Sequence, residues 1–395
     1  VAGRGRVSGS SVVVLCLLLV ALVGCGGGPA ADPARAGVQR VLDRRAAALL
    51  GHDAAAYAAT GTSAGFDRVR AVPLADWTYR VQDVRRTGDR ATADVRLGYR
   101  LAGHDRGAVT AARTLRLTRR DGHWYVTSDR PAEKAGQQPW DQGTVRVVEG
   151  RHSLVLGVGQ SGAALRGFAA LADRAVPAVS DAWDGDWAGR LVVVVPKSLA
   201  GMAGLLGSPA SSYRGIAAVT TGETGGAADA PADRIIVNPE AYGMLGSLGK
   251  QVVLTHEATH VATRAHTGAA TPLWLSEGYA DWVGYRGGAR TPAQAAPELA
   301  RAVAGGRVPA GLPADDDFGF TGDADELARA YESGWTACRM IADRWGEARL
   351  DAFYRAVGAH ERRAGAVEDA LAEVLGTTPE EFTGGWREYL RAEFG

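Results

Sequence analysis

His256 and His260 stand four residues apart in the run Thr255-His256-Glu257-Ala258-Thr259-His260, with Glu257 directly after the first of them. On a helix, positions i and i+4 lie one turn apart on the same face, so both imidazoles can reach one Zn²⁺. Glu257, beside the first ligand, would then face a water on that ion and act as its base. Gln251-Val252-Val253-Leu254 before the motif and Val261-Ala262 after it suit a helix. Taken alone, the motif also fits a surface helix that happens to carry two histidines.

A third ligand is available in Leu273-Trp274-Leu275-Ser276-Glu277-Gly278-Tyr279-Ala280-Asp281-Trp282. His266-Thr267-Gly268 is expected to end the first helix, with the glycine near its C-cap. Thr271-Pro272 is expected to start the next, with Thr271 as N-cap and Pro272 at the first helical position. Glu277 would complete a set of two histidines and one carboxylate with a position left open for water, the arrangement of a catalytic zinc site. Asp281, four residues on, would orient a ligand imidazole through its far nitrogen. Singly, each of these acids is an ordinary solvated helix residue; the joint pattern is what argues for a site.

The stretches LTHEATHV and TPLWLSEGYADWV resemble the gluzincin class of metallopeptidases. The nearer likeness is to the peptidase-MA-like domains related to the aminopeptidase N and leukotriene-hydrolase family. It extends from about residue 140 to the end of the sequence. The resemblance implies a thermolysin-like zincin domain, a small sheet followed by a mainly helical part. It makes His256, His260 and Glu277 the zinc ligands and Glu257 the catalytic base. Tyr331-Glu332-Ser333-Gly334 is similar to that family's Y-E-K-G, which implies that Tyr331 stabilises the oxyanion; read without the likeness, Tyr331 is equally a packed helix tyrosine. Two departures stand out. The stretch between His260 and Glu277 is shorter than in the aminopeptidases. Where those enzymes carry a Glu for the substrate's free amine, Gly215-Ile216-Ala217-Ala218-Val219 has none. The expected activity is zinc-dependent hydrolysis of a peptide or protein substrate without aminopeptidase specificity. The alternative is a non-catalytic envelope binding or scaffold lipoprotein with a vestigial zinc site.

The elements around the motif fall into an α+β order. The 395 residues, 46% of them apolar, suit two folded units. Val38 to Ala59 has helical spacing, broken by Gly51. From Trp77 to Ser128, four alternating runs are separated by turn signals at Thr87-Gly88-Asp89 and Asp121-Gly122. A helix followed by such a meander, at 38–130, resembles the nuclear-transport-factor-like (cystatin-like) cone, a helix on a curved antiparallel sheet. It would serve either as a cover for the site or as an independent binder. Pro131 to Gly143 reads as the linker, and 144–395 as the zinc domain. Strand-like runs there are Thr144–Val148, Ser153–Val158, Leu191–Val195, Ile216–Thr220 and Arg234–Val237; an unpaired strand among Ile216–Val237 would align an extended peptide. A helix from Ser161 to Trp183 is expected to kink or split at Pro177. Beyond Leu248 the pattern is helical.

The first residues give the expected location. Arg4 and Arg6 precede an apolar core, Ser11 to Gly24, shorter than the roughly 20 residues of a membrane span but of signal-peptide length. Leu22-Val23-Gly24-Cys25 resembles a bacterial lipobox. Residues 1–24 would then be cleaved, Cys25 lipidated, and 25–37 left as a flexible tether, holding the protein on the outer face of the cell membrane. A plain signal peptide with an incidental cysteine is the other reading. Cys338 is then the one remaining cysteine besides Cys16 in the signal core, and reads as a small buried apolar residue. Lys and Arg balance Asp and Glu at 44 each, so the chain has no overall field for nucleic acid. Oligomeric state has no signature here.

Overall fold

The computed structural model describes residues 33–222, 229–319 and 323–395. The expected signal segment and Cys25 lie outside them. The fold is mixed α+β. Helix α1, Pro33–Leu50, begins inside the stretch expected as tether. Pro33 presets the helical backbone angle at its first position. Gly37 is seated so close to the Trp124 indole that a Cβ there would lie 2.9 Å from it. The end at Leu50, before Gly51, agrees with the sequence.

Four strands follow: β1 Leu74–Thr87, β2 Arg90–Leu101, β3 Val109–Arg120 and β4 His123–Pro131. They form an antiparallel meander in chain order. Alternation places Trp77, Tyr79 and Val81 of β1, and Val95, Leu97 and Tyr99 of β2, in the core shared with Val38, Val41 and Leu42 of α1. The last hairpin turns on Asp121 and Gly122, at φ 48° and 78°, the left-handed pair a two-residue turn requires.

The segment 131–143 is polar in composition, yet part of it is core. Pro139–Gln142 forms one helical turn. Its Trp140 ring lies 5.2 Å from Trp77 and 4.9 Å from Tyr99, centroid to centroid. Buried Arg113 donates both terminal nitrogens to Asp141 at 2.8 Å and its Nε to Asp129 at 2.8 Å. The Asp141 charge is thus neutralised inside the protein, while Glu133 and Lys134 stay exposed.

The second sheet has β5 Val145–Glu149, β6 Ser153–Val158, β7 Leu191–Val195, β8 Ala218–Thr221 and β9 Arg234–Val237. Its order is β5-β6-β7-β9-β8, with β6, β7 and β9 parallel and the two edge strands antiparallel to their neighbours. Helix α2, Gly162–Ala182, is the crossover from β6 to β7. The sequence expected a kink or split at Pro177. The helix is not split there, and Val176 and Val179 on either side are buried. Both faces of this sheet are covered. Leu154, Leu156, Val192 and Val194 pack toward the first unit, while Val155, Val193, Ile235 and Val237 pack toward the helices. Hence β7 is Leu-Val-Val-Val-Val with no polar position.

The remainder is helical. Helices α3 Ser247–Thr263, α4 Leu273–Tyr285 and α5 Ala324–Trp345 matter for the site. Cys338 is fully buried on α5 and unpaired. Among the described residues, no helix is long and apolar enough to cross a membrane.

Candidate metal centre

Helix α3 carries His256, Glu257 and His260, and α4 crosses it carrying Glu277 and Asp281. The turn between them differs from expectation. Helix α3 ends at Thr263, earlier than Gly268, and a 3-10 turn, Arg264–His266, follows. Pro272 itself stands at the N-cap position, and Thr271 accepts instead from the Gly268 amide at 3.1 Å. The first amide of α4, on Leu273, donates to Asp315 at 2.9 Å. A side chain from a distant loop therefore does the capping that proximity in sequence assigned to Thr271.

Glycines set how closely these helices meet. A Cβ on Gly278 of α4 would lie 2.3 Å from the Gly334 backbone of α5, and one on Gly334 would lie 2.5 Å from the Trp274 carbonyl oxygen. Backbone contact of this kind excludes any larger residue. It brings the Tyr331 segment of α5 against the Glu277 segment of α4.

The four charged side chains converge. His256 Nε2 and His260 Nε2 are 3.0 Å apart. Glu277 Oε2 lies 3.2 Å from the first and 3.5 Å from the second. Asp281 Oδ1 is 2.8 Å from His256 Nδ1, the ring's far nitrogen. Among the described residues, His256, His260 and Glu277 are the one group of His, Cys, Asp or Glu whose ligand atoms lie close enough together to hold a metal ion. Tetrahedral zinc with bonds of about 2.0–2.1 Å spaces its ligand atoms about 3.3–3.4 Å apart. The three observed separations bracket that value. The three side chains are 13–18% exposed, so the cluster is neither sealed nor splayed on the surface.

The electrostatics draw positive charge to the same point. With His256 Nδ1 donating to Asp281, a neutral ring points its Nε2 lone pair at the Glu277 carboxylate and at His260. Such a cluster attracts positive charge, which a proton on His256 Nε2 or a metal ion would supply. Burial alone would depress the His256 pKa, but the Asp281 and Glu277 carboxylates outweigh it and hold it well above the usual histidine range. Burial likewise pushes Glu277 up, and the two imidazoles bring it below the ordinary carboxylate range.

Glu257 is buried, and sequence reasoning missed its partner. Thr220 Oγ1, on β8, lies 2.6 Å from Glu257 Oε2 and 3.1 Å from the Glu257 carbonyl oxygen. The two residues are far apart in the chain, so no local pattern links them. Tyr331 is half-buried on α5, and its ring meets Phe318 edge-on at 5.1 Å. Burial raises its pKa, and the carboxylates of Glu277, Asp281 and Glu257 raise it further, so the phenol keeps its proton. Next to it, Glu332 accepts from the amides of Glu298 and Leu299; burial lifts its pKa to about 7. No family model matches the chain, and no curated protein matches it.

Proposed function

We propose that this chain is a zinc-dependent peptidase of gluzincin type. The observation that carries the reading is the convergence of His256 Nε2, His260 Nε2 and Glu277 Oε2 at zinc-ligand spacing beside Glu257. When bound, zinc supplies Lewis acidity toward a carbonyl oxygen and brings the pKa of water down to about 7. Asp281 fixes the His256 ring by its Nδ1, so that Nε2 faces the ion. Glu257 takes the proton of the attacking water and passes it to the leaving amine nitrogen. Tyr331, protonated, donates to the oxygen that gains charge as the carbonyl is attacked.

The substrate is a peptide or protein, laid beside the edge strand β8, which pairs with β9 on one side. The strand has no glutamate for a free amino terminus, which argues against aminopeptidase specificity. The lipobox-like Cys25 supports a lipid-anchored protein outside the cytoplasm. Profiling the wild type and Glu257→Gln with an unbiased peptide library, alongside metal analysis, tests the reading. The expected result is zinc in both and cleavage in the wild type alone. Equal cleavage by both would end the mechanism, and zinc without any cleavage would favour the scaffold reading.

A further inference from the structure

We infer that Thr220 is the positioning residue of the base: its hydroxyl holds one oxygen of the Glu257 carboxylate and so turns the other toward the metal centre. This rests on the reading of Glu257 as base. The argument begins with strand periodicity. Ala218 is buried against the helical core, while Val219 packs on the opposite face toward the first unit. Side chains alternate, so Thr220 returns to the helix face. Helix α3 lies along that face, and Glu257 meets Thr220 there.

A hydroxyl has one proton to give. It lies between two acceptors, the carboxylate at 2.6 Å and the Glu257 carbonyl at 3.1 Å. The shorter contact has the length of a charge-assisted bond to an ionised oxygen. A glutamate side chain has several rotors, and a free one would leave the site for much of the time. With Oε2 held by the strand, Oε1 is left to take a proton from water. The strand is itself held. Arg234, the first residue of β9, pairs with Asp105 of the first unit at 2.8 Å, and the Ala232 amide donates to the other Asp105 oxygen at 3.0 Å. Thr221 and Arg234 then pair across the β8–β9 ladder. The first unit thus anchors the strand that carries Thr220.

The test compares the mature full-length chain with Thr220→Val, which keeps the shape and removes the hydroxyl, and Thr220→Ser, which keeps the hydroxyl. Metal content should be equal in all three. With library peptides that the wild type cleaves, kcat should fall about tenfold to a hundredfold in Thr220→Val, with KM little changed. Thr220→Ser should recover most of it. Turnover by Thr220→Val at the wild-type rate overturns the proposal, and so does a serine variant as slow as the valine one. A spectroscopic arm is independent of turnover. The Glu257 carboxylate stretch is isolated as the infrared difference between the chain and its Glu257→Gln variant, with and without Thr220→Val. A shift on removal of the hydroxyl, reversed by serine, supports the positioning contact even if the wild type cleaves nothing and the peptidase reading has failed. An unshifted band overturns it.

Discussion

Two groups of buried charge in this protein have opposite designs. In the first unit, Arg113 places three nitrogens on Asp129 and Asp141. The one remaining acidic oxygen, Asp129 Oδ2, accepts from the Tyr79 hydroxyl at 3.0 Å, and Asp141 Oδ2 accepts a second time, from the Gln138 amide at 2.8 Å. Donors face acceptors, and the network is complete within the chain. The helical region differs. Two imidazole nitrogens and a carboxylate oxygen lie 3.0–3.5 Å apart, and a further carboxylate backs one ring. The first group is a buried ion pair that holds structure. The second gathers titratable groups at a point where an imidazole proton or a metal ion would supply the positive charge. Burial and acidity alone do not tell them apart; a permanently charged guanidinium in one and titratable imidazoles in the other do.

The contrast breaks most sharply at the ligands. Glu277→Ala should reduce zinc to background and hydrolysis by at least about a thousandfold, while urea unfolding of the first unit stays as in the wild type. Metal analysis checks the first, and amide hydrogen exchange of β1–β4 in urea checks the second. Arg113→Met should do the opposite. It strands two partly buried carboxylates and is expected to cost about 3 kcal/mol in urea unfolding, with zinc per folded molecule unchanged. Loss of zinc together with stability would mean that the two groups are one system. Asp281→Asn is milder, because an amide oxygen can still accept from His256 Nδ1. Zinc affinity should weaken by about tenfold to a hundredfold in a competition titration. An unchanged affinity would leave Asp281 without its assigned role.

Legibility in the sequence followed the range of the interaction. His256 and His260 share a helix face by helix geometry, so their spacing was enough. The meander from β1 to β4 was readable because alternation repeats over long strands whose exposed faces are polar. Segment 131–143 misled because Asp141 and the glutamines look solvated until Arg113 and Tyr99, distant in sequence, neutralise and bond them. Thr220 was invisible as a partner of Glu257 for the same reason. Pro177 was read as a kink or a split; the helix is not split there, and Val176 and Val179 beside it are buried.

The cap of α4 offers the smallest and most discriminating measurement. Thr271 has the residue type of an N-cap and the right position, yet it bonds Gly268. Asp315 caps α4 through Oδ1, and its Oδ2 pairs with Arg363 at 2.9 Å. Arg363 in turn donates to the Thr271 carbonyl at 2.9 Å, so one carboxylate fixes where the helix carrying Glu277 begins. The Asp315–Arg363 pair is partly exposed and worth little by itself. The cap carries the effect: Asp315→Ala should cost about 1 kcal/mol, and Asp315→Asn much less. Zinc stoichiometry should hold, and zinc affinity should change less than in Asp281→Asn. The reverse order would mean that Glu277 is placed chiefly by the frame of its helix. The metal centre would then resemble the Arg113 network after all, with its geometry set by closed contacts around it.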